Sequence, residues 1–90
     1  MRKHIIWSPL AVSDLYNTLD YLQNKWNEQV ILAFLDEIEK LLQQVSVNPK
    51  QFPLVNWKKD VRKCVLTKHT TLFYRENKDT VELLRFFDTR

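Results

Sequence analysis

The residues of this chain best suited to chemistry are its strand arginines, Arg62, Arg75, Arg85 and Arg90. A guanidinium fork grips a phosphate through two parallel hydrogen bonds, so several forks on one sheet face would suit RNA or a phosphate transition state. Lys58, Lys59 and Lys63 supply a basic rim, and Lys68 and His69 add charge and a titratable ring in a predicted turn. Such a site could cleave RNA without a metal, by placing a 2′-hydroxyl and stabilising charge, given a proton donor and acceptor. The candidates for those roles are His69, His4 and Tyr74, whose ordinary uses are surface exposure for the histidines and packing for the tyrosine. The spacing of the last strand puts Val81, Leu83, Arg85 and Phe87 on one face, opposite Glu82, Leu84, Phe86 and Asp88. Both faces are largely apolar, so Arg85 is expected to pair with Glu76 or Glu82 unless it serves a site.

Composition removes other chemistries. The 90 residues include no glycine, which excludes phosphate-cradling loops, dinucleotide turns and the GXXG clamp of RNA-binding modules. Side chains are then the only phosphate binders available. The single Cys64 builds neither a disulfide nor a cysteine zinc site, and fits a reducing, cytoplasmic setting. Asp36, Glu37 and Glu39 lie on a predicted helix where Asp36 and Lys40 make an i,i+4 pair, so they read as a solvated face and not as metal ligands. Neither a cofactor nor a metal is expected, and no apolar run approaches the roughly 18 residues of a membrane span. The net charge of +3 is uneven: residues 1–57 carry five basic and six acidic groups, residues 58–90 nine and five. The C-terminal part should therefore present a basic surface to a polyanion or an acidic protein.

The positioning elements follow from periodicity. Residues 3–7 read as a strand, and Ser8-Pro9 as an N-cap followed by proline at the first helical position. Val12, Leu15, Leu19, Leu22 and Trp26 form one helical stripe. Asn27 caps a second helix with the stripe Ile31, Phe34, Ile38, Leu41 and Val45, ended by Asn48-Pro49. Matched stripes with almost no linker predict an antiparallel hairpin in preference to a coiled-coil pairing. Residues 49–60 read as an irregular connection pinned by Phe52, Leu54 and Trp57. Strands over 61–67, 71–76 and 80–88 follow, with turns at Lys68-His69 and Asn77-Lys78-Asp79. The expected architecture is one α+β domain over residues 1–90: an N-terminal strand, an antiparallel helical hairpin, then a three-stranded antiparallel meander.

In this order the residues resemble the RelE/ParE superfamily, toxins of bacterial type II toxin–antitoxin modules that stabilise plasmids and arrest growth. The resemblance runs through Ile6-Trp7-Ser8, Ala11, Asp14-Leu15, Tyr21-Leu22, Trp26, Asn48-Pro49, Phe52-Pro53 and Val61-Arg62-Lys63. It continues through Lys68-His69, Leu72-Phe73-Tyr74-Arg75 and Leu83-Leu84-Arg85-Phe86-Phe87-Asp88-Thr89-Arg90. It implies a toxin neutralised by a cognate antitoxin whose tail folds over the helical hairpin and the basic sheet face. RelE-like members cut mRNA on the ribosome, whereas ParE-like members poison DNA gyrase. By resemblance, Arg62 matches a second-strand arginine near the scissile phosphate of RelE-like enzymes, and Arg85 or Arg90 matches one on the last strand. Lys58 and Lys59 match the basic loop before the second strand. RelE-like nucleases usually carry a Tyr or His at or after the last strand, and this chain has Arg90 there. The expectation is a ParE-like toxin acting on gyrase or another non-nuclease target. The alternatives are a metal-independent, ribosome-dependent endoribonuclease and a non-toxic basic binding module.

Overall fold

The computed structural model describes residues 2–56 and 58–88. Its first strand, β1, spans His4–Trp7 and leads into helix α1, Pro9–Lys25. Ser8 makes that junction rigid. Its Oγ accepts the Ala11 amide at 3.1 Å as an N-cap and donates to the Leu84 carbonyl at 2.9 Å, tying the helix start to the sheet. Helix α2, Glu28–Val47, begins after two residues, with Asn27 Oδ1 accepting the Val30 amide at 3.0 Å. The expected caps are therefore the observed ones.

A 3₁₀ turn at Pro49–Gln51 is followed by four more strands: β2 Leu54–Asn56, β3 Val61–Thr67, β4 Thr70–Glu76 and β5 Thr80–Asp88. They form one sheet in the order β1-β5-β4-β3-β2, antiparallel except where β1 runs parallel to β5. The meander is thus present, flanked by β1 on one side and by a short edge strand on the other. That edge strand, β2, lies inside the segment expected to be irregular. Its bulged pairing with β3 (Leu54 with Arg62, Asn56 with Val61) is tertiary, and three residues are too few to show a period. Trp57 lies outside the described residues. Asp60, at φ 57°, makes the turn into β3 in the left-handed region, where an aspartate stands in a chain without glycine.

The helices cover one face of the sheet. The core is Ala11 and Leu22 from α1, Phe34, Ile38, Leu41 and Val45 from α2, and Cys64, Leu72, Tyr74, Val81, Leu83 and Phe86 from the sheet. Along α2 this is the expected stripe. On α1 the buried line turns through Ala11 and Thr18, while Trp26 is exposed and serves as C-cap, its amide bonding to the Leu22 carbonyl at 2.7 Å. Phe52 packs against the core edge-on to Tyr74, at 6.4 Å and 89°, whereas Leu54 is exposed rather than pinned.

Candidate functional site

Register sorts the sheet side chains into rows. On the helix-covered face Arg62, Tyr74, Leu83 and Trp7 share one row, and Cys64, Leu72 and Phe86 the next. On the open face Val61, Arg75, Glu82 and Ile6 share a row, then Lys63, Phe73 and Arg85, then Val65, Thr71 and Phe87. A bulge makes this pattern. Tyr74 pairs with Leu83 and Phe73 with Arg85, so Leu84 is the extra residue on β5. The strict alternation expected for 80–88 fails there. Phe86 joins Val81 and Leu83 in the core, while Arg85 and Phe87 stay on the open side.

The expected arginine cluster does not assemble, because Arg62 and Arg85 stand on opposite faces of the sheet. Arg62 reaches under the segment after α2, where its Nη1 donates to the carbonyls of Phe52 at 2.7 Å and Lys50 at 3.4 Å. Its Nε is buried without a hydrogen-bond partner among the described residues. Tyr74, beside it, is fully buried and donates its hydroxyl to the Pro49 carbonyl at 2.7 Å. Burial pushes the Tyr74 phenol up to about 12, against a smaller opposing pull from Arg62. The pair fixes the connection from α2 to β2 and leaves Tyr74 unsuited to proton transfer near neutrality. Cys64, also buried, is pushed up to about 11 by desolvation, which keeps it a packed thiol.

Arg85 pairs neither with Glu76 nor with Glu82. Glu76 holds Lys3 at 2.9 Å, and Glu82 faces Arg75 at 3.6 Å across the sheet. The partner of Arg85 is Asp14 on α1, which accepts its Nε at 2.7 Å and Nη2 at 3.0 Å. The same carboxylate accepts the Phe86 amide at 3.0 Å, beyond the point where β1 stops covering β5. These bonds, the one from Arg85 first, hold the Asp14 carboxyl below its ordinary range despite partial burial. Asp14 is the residue the sequence reasoning missed as a site element. The Asp14-Leu15 and Arg85 signatures were both visible, but nothing in their spacing places them in contact. The guanidinium also lies 5.8 Å from the centre of the Phe87 ring.

The open face is therefore an aromatic and aliphatic surface edged by cations. Phe87 is 54% exposed and Val65 60%. Phe73 meets Phe87 edge to face, 6.5 Å apart at 85°. Lys63, Thr71, Phe73 and Phe87 line an open notch of about 250 Å³. Arg75 and Lys63 are diagonal neighbours at its margin. Of the other expected residues, Lys58 and Lys59 lie in the β2–β3 turn, while Lys68 and His69 lie in the β3–β4 turn at the opposite end of the strands, so they do not converge. Arg90 lies outside the described residues. The described residues contain no group of three metal-ligating side chains, and none of their helices is long and apolar enough to cross a membrane. On the helix-covered side a second groove, of about 390 Å³, separates β1 from α2 and is lined by Ile5, Leu35, Ile38 and Leu42 among others.

This fold is shared by solved toxins of one class. A chain of the chromosomal ParDE system of P. aeruginosa superposes with a TM-score of 0.80 at 15% identity, covering 99% of this chain and 98% of that one. A chain of the YoeB dimer of Staphylococcus aureus gives 0.68 at 17% identity, covering 97% of each. A chain of the RelBE2 toxin–antitoxin complex of Mycobacterium tuberculosis gives 0.65 at 18%, covering 98% and 99%. The architecture is that of the RelE/ParE superfamily. None of the curated protein sequences is a significant match. The chain belongs to the ParE toxin family, the toxins of parDE type II toxin–antitoxin systems, whose family model matches residues 5–90.

Proposed function

We propose that this toxin arrests growth in the ParE-like manner, by binding a protein target, DNA gyrase in the reading the resemblance favours, and not by cutting mRNA. The observation that carries this is the separation of Arg62 from Arg85. A metal-independent ribonuclease needs convergent phosphate ligands and a proton-transfer group within hydrogen-bond reach. Here Arg62 is spent on the carbonyls of Phe52 and Lys50, and Arg85 on Asp14. Tyr74, the phenol beside Arg62, is held protonated far above neutrality. The family match over residues 5–90 supports the same reading. The open face instead offers what a protein interface uses at its centre: exposed aromatic area with cations around it.

Neutralisation falls to a cognate antitoxin, as the toxin–antitoxin complexes among the structural relatives suggest. The groove between β1 and α2, lined by Ile5, Leu35, Ile38 and Leu42 among others, is the surface we assign to it. The test is induction of the toxin alone in bacteria, with supercoiling and mRNA integrity followed together. Inhibited supercoiling with intact mRNA is the expected result; translation arrest with codon-positioned mRNA cuts would overturn it in favour of the RelE-like activity.

A further inference from the structure

The open-face notch combines exposed aromatic area with a cation at its edge. Three of its features define an occupant. First, its walls are two phenyl rings set at 85°. Nucleic-acid platforms stack flat bases on ring faces presented side by side. A perpendicular pair offers a corner instead, and a corner receives a branched or aromatic side chain. Second, the notch of about 250 Å³ has room for one such side chain and continues onto Val65, in the same row as Phe87. Third, the charge at its rim is unbalanced. Arg75 faces Glu82 and Arg85 is held by Asp14, but Lys63 takes part in no ion pair among the described residues and is exposed. A lysine ammonium is a point charge that pairs with a single anionic group such as a carboxylate, and the arginine forks suited to bidentate phosphate contact are already engaged here.

We propose that the notch between Phe73 and Phe87 is the docking site for the toxin's protein target, and that it receives an acidic segment whose apolar side chain enters the notch while an adjacent carboxylate pairs with Lys63. This rests on the protein-target reading above and adds the surface and the chemistry of the contact. Asp14 has a part in it as a positioning residue. Its carboxylate, on α1, holds the Arg85 guanidinium at the free edge of β5, 5.8 Å from the centre of the Phe87 ring that forms one wall of the notch. Central, desolvated aromatic anchors ringed by polar groups carry most of the energy of such contacts.

The test uses the full chain with Phe87→Ala and Lys63→Glu, both at exposed positions outside the core. Circular dichroism and thermal melting should find both folded. Each should need about 10-fold or more toxin for half-maximal growth arrest and gyrase inhibition, as loss of an interface anchor does. Raising salt should weaken the wild type and leave Lys63→Gln less affected, since only the former has a charge pair to screen. Affinity for the antitoxin encoded beside the toxin should stay within a few-fold of the wild type. Growth arrest by folded Phe87→Ala and Lys63→Glu equal to that of the wild type overturns the proposal. So does an equal loss of antitoxin affinity, which would make the notch the antitoxin's seat, or binding of single-stranded RNA that vanishes in Phe87→Ala. If the wild type leaves gyrase untouched and mRNA intact, the choice of gyrase fails, while the arrest assay still decides whether the notch is the docking site.

Discussion

Replacing Tyr74 with phenylalanine separates a structural from a chemical role for the residues around Arg62. The phenol is fully buried, and its hydroxyl donates to the Pro49 carbonyl at 2.7 Å. Phenylalanine keeps the ring and its edge-on contact with Phe52 but strands that carbonyl at a buried residue. A buried group left without its partner costs about 1–3 kcal/mol. In a domain of this length each kcal/mol lowers the melting temperature by about 4–8 °C. Calorimetry of Tyr74→Phe should therefore show a drop of at least 4 °C or so. A second arm uses pH. Burial raises the folded phenol to about 12 from the ordinary 10.0, so the folded state holds its proton more tightly than the unfolded chain. The corresponding stability, about 2–3 kcal/mol, is fully present below pH 10 and is lost as pH rises towards 12. Urea midpoints from pH 9 upwards should fall more steeply in the wild type than in Tyr74→Phe. Growth arrest at a temperature where the variant is folded should match the wild type. An unchanged melting temperature, or arrest abolished in a fully folded variant, would refute the assignment of Tyr74 to structure.

Arg62→Ala should behave alike: loss of the bonds to Phe52 and Lys50 costs about 1–3 kcal/mol, and toxicity should follow the folded fraction, so arrest lost at full folding would return Arg62 to phosphate binding. Asp14→Asn tests the acid limb. A carboxyl held low in the folded state adds stability above its unfolded value near 4 that disappears as pH falls through the lower folded value, so urea titrations from pH 7 to pH 2 should show a flatter acid limb in the variant. Cys64, buried and pushed up to about 11, should resist iodoacetamide at pH 8 until the chain unfolds, with a labelling rate that follows denaturant; rapid labelling of the native protein would contradict its burial.

The elements were legible where local signals coincide. Ser8-Pro9 and Asn27 set both helix starts, and the stripe from Ile31 to Val45 defined the buried face of α2. The strand β5 shows where legibility stops. A bulge adds one residue to one strand, and a period of 2 read from Val81 onwards then assigns every later side chain to the wrong face. Arg85 and Phe86 exchange faces for this reason: Phe86 joins Val81 and Leu83 in the core, and Arg85 leaves their face for the open one. Spacing within a segment cannot report a contact such as Asp14 with Arg85, made across most of the chain. The expected arginine cluster fails as geometry, because strand parity sends Arg62 to the covered face.

The strand order has a consequence for a chain cut short of its last strand. The neighbour of β1 is β5, the last strand in sequence, and β5 also floors α1 through Ser8 and Asp14. Until residues 80–88 are available, α1 lacks the strand it packs on, the core lacks Val81, Leu83 and Phe86, and the notch lacks Phe87. Contacts between such distant segments form late and slowly. A chain that ends before β5 therefore lacks the partner strand of β1, the Phe86 amide and Arg85 side chain that Asp14 holds, and the Phe87 side of the open face. Truncation there removes the covered core edge and the exposed aromatic surface together.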